Sequence, residues 1–231
     1  METIEISDLI KLFDIMGNNQ LSYKVIKEKN MTLATPIQTE KTYYTPEEYL
    51  ELENQSESKH EYLNAEIIPM TGGTTNHNKL ALKIAAKLLA ILEEQGYEVY
   101  IGDVKLWIEA SNRYTYPDVM VVEGKAIYQG KTQNVITNPL VIIEVLSKST
   151  ANYDQGDKFD AYRTIPSFQE YILISQTEYY IKQFVKNEQG KWLLSDYRGE
   201  SEILKLETVD FEMSLKALYQ YVDFSKGEDN V

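Results

Sequence analysis

The sequence predicts an α/β (α+β) domain, a mixed sheet flanked by helices. Three observations predict it. Residues 77–96 keep a helical apolar period, several Val-, Ile- and Tyr-rich runs follow Gly96, and helical character returns over 151–165. The composition agrees. The 231 residues are 43% apolar and 26% charged, which is globular composition, and the length suffices for one sizeable core.

The first 43 residues read as an appendage and linker. ISDLIKLFDIM can form a short amphipathic helix that Gly17-Asn18-Asn19 ends, and KVIKEKNMTLATPIQTEK reads as linker. A single domain is expected over 44–224, with 225–231 as a tail. Thr45-Pro46-Glu47-Glu48 is a helix start with a Thr cap, Pro at the first helical position and an acid three residues after the cap, so a helix runs from Pro46 to Glu53. HEYLNAEIIPM gives two short strands about a turn at Asn64-Ala65. After the loop Thr71–Thr75, Asn76 is placed to cap a long helix with Leu80, Ile84, Leu88 and Ile91 on one face, closed by Gly96. YEVYIGDVKLWIEA, YTYPDVMVVEG and NPLVIIEVLSKST are β-type runs. LVIIEVL is nearly all apolar and belongs in mid-sheet. ANYDQGDKFDAYRTI is helical and stops before Pro166. EYILIS is a further strand, EYYIKQFVKN and KWLLSDYRG form a C-terminal β-hairpin turning at Asn187–Gly190, and MSLKALYQYV is a late helix. The eighteen tyrosines suit packing at half-buried surfaces.

Composition also limits the chemistry. The absence of cysteine excludes a thiolate zinc site, an iron–sulfur cluster and a cysteine nucleophile. Two histidines, His60 and His77, leave little for histidine-rich metal sites. Lys and Arg number 23 against 36 Asp and Glu, a net charge of −13, so a polyanion would need a local basic cleft. The candidates for one are Lys148, Lys158 and Arg163, with Lys79 and Lys105 behind them. No apolar stretch is long enough to span a membrane and the acidic N-terminus is no secretory leader. The expected location is the cytoplasm.

Two acids stand out because they interrupt apolar β-type runs: Asp118 in YPDVMVV and Glu144 in IIEVLS. A buried carboxylate needs a partner, since losing its hydration costs several kcal/mol or more. Two acids on one face of neighbouring strands repel each other, and a hard dication between them relieves both costs, so Mg²⁺ or else Mn²⁺ is the expected cofactor. Such an ion suits phosphoryl chemistry. Lys158 and Tyr162 share a helix face, and Lys158 can reach back over the Glu144 strand to stabilise negative charge. Lys158 paired with Asp154 on a solvated face is the plainer alternative, as are Asp118 paired with Arg113 and His77 as a helix-start residue that only caps or packs.

These pieces carry a resemblance. TPEEYLELE, HEYLNAEIIPM, the helix near His77, YPDVMVV, LVIIEVLSKST, the D-x₃-K-x₃-Y run of Asp154, Lys158 and Tyr162, and EYILIS together resemble the bacterial Uma-type family of restriction-endonuclease-like proteins, within the PD-(D/E)XK nuclease superfamily. The resemblance implies a restriction-endonuclease-like fold and Mg²⁺-dependent phosphodiester hydrolysis on a DNA substrate. Asp118 and Glu144 would be metal ligands, with Glu66 as a third acid and Glu61 in reserve. Lys158 would stand in for the lysine usual two residues after the strand glutamate, where this chain has Leu146. Ala65 stands where the family usually has Gly, a change expected only to tighten the turn. A homodimer fits enzymes that cut both strands, and no membrane partner is expected. The competing reading is a catalytically inactive member that binds nucleic acid or protein.

Overall fold

The structure, a computed structural model, describes residues 22–28, 31–37, 42–131, 133–147 and 151–225. It divides into two compact units, residues 1–42 and 43–231. In the first, β1 (Ser22–Glu28) and β2 (Met31–Ile37) pair antiparallel, so a hairpin occupies the segment read as a linker. The helix expected at ISDLIKLFDIM lies outside the described residues, as do residues 226–231 of the expected tail.

In the second unit, α1 (Pro46–Gln55) starts at a capping box: Thr45 accepts from the Glu48 backbone and Glu48 from the Thr45 backbone. β3 (His60–Leu63) and β4 (Glu66–Pro69) follow as a hairpin. Its turn corrects the sequence reading. Asn64 and Ala65 both have positive φ, 48° and 77°, the geometry of the tight hairpin turn that suits strand twist. Asparagine tolerates that region, but a Cβ at Ala65 clashes there, at about 1–2 kcal/mol. Ala65→Gly is therefore expected to stabilise the domain by about 1 kcal/mol, read as a higher urea midpoint with an unchanged m-value. A lower midpoint would mean that the alanine is held without strain.

The long helix α2 (Thr75–Leu92) is capped by Thr74, whose hydroxyl accepts from the His77 backbone. Asn76, expected as the cap, is buried, and its amide instead brackets Asp223, donating to its carbonyl at 2.9 Å and accepting from its N–H at 3.2 Å. A short 3₁₀ turn, Glu93–Gln95, ends at Gly96 in left-handed backbone with φ 84°.

Two of the β-type runs divide between two sheets. β5 (Tyr97–Ile101) and β6 (Lys105–Ile108) separate at Gly102–Val104, and β7 (Arg113–Thr115) and β8 (Val119–Glu123) separate at Tyr116–Asp118. With β9 (Val135–Ile136), β10 (Val141–Leu146), β11 (Glu170–Ser175), β12 (Tyr180–Lys186) and β13 (Trp192–Arg198), they build a six-stranded sheet of order β13-β12-β11-β10-β8-β5 and a five-stranded sheet of order β4-β3-β7-β6-β9. Only β10–β11 is parallel in the larger sheet, so the sheet is mixed as expected. β10 lies inside it and is buried from Val141 to Val145. The β12–β13 hairpin turns at Asn187–Gly190 as read. A further hairpin, β14 (Ile203–Leu206) with β15 (Phe211–Ser214), precedes α5 (Leu215–Leu218), so the late helix is shorter than expected and its first residues are strand.

The core has three parts. Leu80, Ile84, Leu88 and Leu92 of α2 pack with Val119, Val121, Val141, Ile143 and Val145 on one face of the larger sheet. The opposite face gathers Met120, Ile142, Tyr162, Phe168 and Tyr171. Tyr49, Tyr62 and Tyr114 join α1 to the smaller sheet. Among the described residues six tyrosines are fully buried, against the half-buried expectation. They tolerate burial because their hydroxyls find partners: Tyr49 donates to the His60 carbonyl, Tyr62 to that of Tyr44 and Tyr171 to that of Asp154.

Candidate active site

The site forms where the chain crosses between sheets. β7 ends at Thr115, β8 begins at Val119, and Asp118 stands in the crossing, not within a strand. The β8–β10 ladder pairs Met120 with Ile142 and Val119 with Ile143; one further step sets Asp118 against Glu144. Strand alternation puts Glu144 on the same face as Ile142, toward the helical segment after β10. That register brings together two acids 26 positions apart.

They are bonded to each other's backbone surroundings. The Asp118 N–H donates to Glu144 Oε2 at 3.3 Å, and the Val145 N–H donates to Asp118 Oδ2 at 2.7 Å. Asp118 Oδ1 meets His77 Nε2 at 2.8 Å. His77 sits in the first turn of α2, and Gly73 makes room for it: a Cβ at Gly73 would stand 3.1 Å from the ring. Burial pulls the His77 pKa down, but the bond to Asp118 and its charge outweigh this and leave it raised.

Glu144 is only 3% exposed. Its Oε1 accepts from Lys158 Nζ at 3.1 Å and from the Tyr162 hydroxyl at 2.8 Å. Both donors come from the segment after β10, made of α3 (Ala151–Tyr153), one π-helical stretch (Asp154–Lys158) and α4 (Phe159–Tyr162). The wider π turn carries Lys158 itself, a placement common at functional sites. The Lys158 ammonium also lies 3.2 Å from Asp154 Oδ1 and 3.5 Å from Glu61 Oε1. The solvated Lys158–Asp154 pair of the sequence reading is thus a buried one, shared with two more acids. Glu61 is held in turn by the hydroxyls of Thr115 and Tyr153.

One ammonium among three buried carboxylates leaves the pocket short of positive charge. Burial pushes Glu144 up to about 8. Lys158 and the Tyr162 bond oppose that rise, and the charges of Asp118 and Asp154 add to it. For Lys158, burial lowers and the surrounding anions, Glu144 foremost, raise; the anions win and its pKa stands well above the usual lysine value. Asp154 Oδ1, fully covered, has no aligned hydrogen bond despite its ion pair.

Of the residues singled out from sequence, Asp118, Glu144 and Lys158 meet in this pocket. Glu66 does not join their contacts: it is exposed in β4 opposite Leu63, while Glu61 on β3 reaches the lysine. Lys148 lies outside the described residues. Arg163 is paired with Asp160 on the surface, and Lys79 donates to the Tyr221 carbonyl. Arg113 does not pair with Asp118; it donates to the Tyr153 hydroxyl and the Asp157 carbonyl. His77 was legible only as a helix-start residue, since nothing in its spacing from Asp118 announces their contact.

Among the described residues, no three of His, Asp and Glu converge as ligands of one ion. The donor set nevertheless fits a hard dication. Mg²⁺ is commonly held by one or two carboxylates and keeps water or substrate oxygens elsewhere, and Asp118 and Glu144 supply such a pair in a pocket where a single ammonium faces several carboxylates.

The Uma2 family model, described as "Putative restriction endonuclease", matches residues 46–217. The chain belongs to the Uma2 family. All the pocket residues, from Glu61 to Tyr162, fall within the Uma2 match. An uncharacterized protein of Synechocystis is 41% identical over 157 residues, covering 68% of this chain and 89% of its own length. A second uncharacterized Synechocystis protein is 34% identical over 180 residues, covering 78% and 93%. Among solved structures, a putative nuclease belonging to DUF820 from Anabaena variabilis superimposes with a TM-score of 0.65 over 78% of this chain and 99% of that one. At 16% identity that likeness speaks for the fold. No helix among the described residues is long and apolar enough to cross a membrane.

Proposed function

We propose that this Uma2 chain hydrolyses phosphodiester bonds of DNA as a Mg²⁺-dependent endonuclease of PD-(D/E)XK type. The observation that carries the reading is the pairing of Asp118 and Glu144 in one pocket with a buried ammonium, Lys158, 3.1 Å from Glu144. Asp118 and Glu144 would hold the ion. When bound, Mg²⁺ supplies an acidified water and charge neutralisation at the phosphoryl group. The chain's own residues do the rest. Val145 N–H and His77 fix the two oxygens of Asp118. Tyr162 and Lys158 fix Glu144, and the low-dielectric pocket strengthens the pull of the ammonium on any negative charge that develops beside it.

The test is cleavage of supercoiled plasmid with and without Mg²⁺. The wild type is expected to nick or linearise it, and Asp118→Ala and Glu144→Ala to lose that activity. Equal rates in wild type and both variants would assign the cutting to a contaminant.

A second reading rests on a specific observation. Lys158 is already engaged by three acids, and no three-ligand group exists among the described residues. A chain that uses this arrangement only to hold its fold would bind nucleic acid or a protein without cutting. Binding of plasmid with no Mg²⁺-dependent cleavage would select it.

A further inference from the structure

A second group of charged side chains lies on the other face of the smaller sheet. The β6–β7 ladder pairs Leu106 with Thr115, and β3–β7 pairs Tyr62 with Tyr114. Toward the crossing, one step along the first register and two along the second line up Lys105, Tyr116 and His60 across three strands. Their side chains alternate away from Glu61 and Thr115. Glu53 of α1 covers them, accepting from the Tyr116 hydroxyl at 2.7 Å, the His60 N–H at 3.0 Å and His60 Nδ1 at 3.0 Å.

Lys105 is the anomaly in this row. It is 5% exposed, yet its ammonium has no hydrogen bond or ion pair among the described residues. It has only the face of Tyr116, 5.3 Å from the ring centroid. Glu53, the nearby acid, has its oxygens taken by His60 and Tyr116. A lysine is almost never buried without a partner. Among the described residues, the fully covered side-chain atoms that lack a hydrogen bond are Arg113 Nε and Asp154 Oδ1. Lys105 Nζ is not one of them, so it keeps an opening to solvent. Lys59 shares the same ring, 5.6 Å from its centroid, with its side chain 45% exposed. Burial lowers the pKa of Lys105, Glu53 opposes this and Lys59 adds to it, so an anion arriving there would relieve both the burial and the mutual repulsion.

The place of this pair matters. Tyr116 stands two residues before Asp118. Lys59 donates to the Gly102 carbonyl and pairs with Asp103, and the Gly102 N–H donates to the Asp118 carbonyl at 3.1 Å. Both ammonium groups therefore lie beside the segment that presents Asp118. We infer that Lys105 and Lys59, both beside the Tyr116 ring, form a subsite for two neighbouring backbone phosphates of the nucleic acid adjoining the bond to be cut. This rests on the nuclease reading and adds where the substrate strand is held. It also meets the difficulty posed by a net charge of −13, because the contact is local.

The experiment measures binding of the full chain to a short labelled DNA duplex across a range of NaCl, with Mg²⁺ withheld so that no cutting intervenes. Each phosphate contact steepens the fall of log K with log[salt] by about 0.9. Lys105→Met is expected to weaken binding and reduce that slope by about 0.9, Lys59→Met to do the same, and Lys105→Arg to keep the wild-type slope. Lys59 is half exposed, so its methionine variant decides the matter should Lys105→Met fail to fold. Wild-type slopes in the folded methionine variants, with cleavage still lost in Asp118→Ala, would overturn the subsite and leave the nuclease reading standing. Failure of the wild type to bind duplex would overturn both.

Discussion

Lys158→Met is expected to destabilise the domain by about 3–5 kcal/mol, the usual cost of removing one partner from a buried ion pair. The size follows from what stays behind. Glu61, Glu144 and Asp154 are 7%, 3% and 3% exposed, and the Lys158 ammonium lies within 3.5 Å of a carboxylate oxygen of each. Methionine fills nearly the same volume, so the loss isolates the charge. Combining it with Glu61→Gln removes one of the stranded anions and should restore part of the loss, a coupling that a double-mutant cycle measures directly. Urea unfolding at neutral pH reads both. A single variant as stable as the wild type would show that the three acids do not depend on this lysine.

Asp118→Ala is expected to abolish Mg²⁺-dependent cleavage and, with it, stabilisation by the metal. An ion that binds only the folded chain adds about 2.7 kcal/mol at a concentration a hundredfold above its Kd. In the wild type this should appear as a higher melting temperature on adding Mg²⁺, with Mn²⁺ acting alike. In Asp118→Ala the shift should vanish. The two readouts divide the readings: a wild type that is stabilised by Mg²⁺ but leaves DNA intact would hold a metal without being a nuclease. A wild type whose melting temperature ignores millimolar Mg²⁺ would remove the metal site altogether.

Much of this pocket was legible in the sequence because its signals are local. An acid inside a nearly unbroken apolar run, such as Glu144 in IIEVLS, must find a partner, and the i, i+4 spacing of Lys158 and Tyr162 says that both can face it. What escaped depends on contacts distant in sequence. His77 and Asp118 are 41 positions apart and meet only because α2 packs across the larger sheet. The choice of Glu61 over Glu66 turns on which end of a four-residue strand lies under Lys158, and alternation cannot decide it: the β3–β4 register places both acids on one face. The division of two β-type runs between sheets was also hidden. Gly102 and Pro117 punctuate them, but a turn and a crossing leave the same mark. Thr74 displaced Asn76 as helix cap because the asparagine amide is bonded to Asp223, 147 positions away.

The placement of Asp118 between the two sheets makes the three-residue joint Tyr116–Asp118 a measuring rod. Its length decides which way the aspartate points when β8 starts pairing, while Thr115 at its other end anchors Glu61. Adding or deleting one residue there would shift the carboxylate off the register that sets it against Glu144 and uncouple the two. At this joint the spacing itself is the functional element.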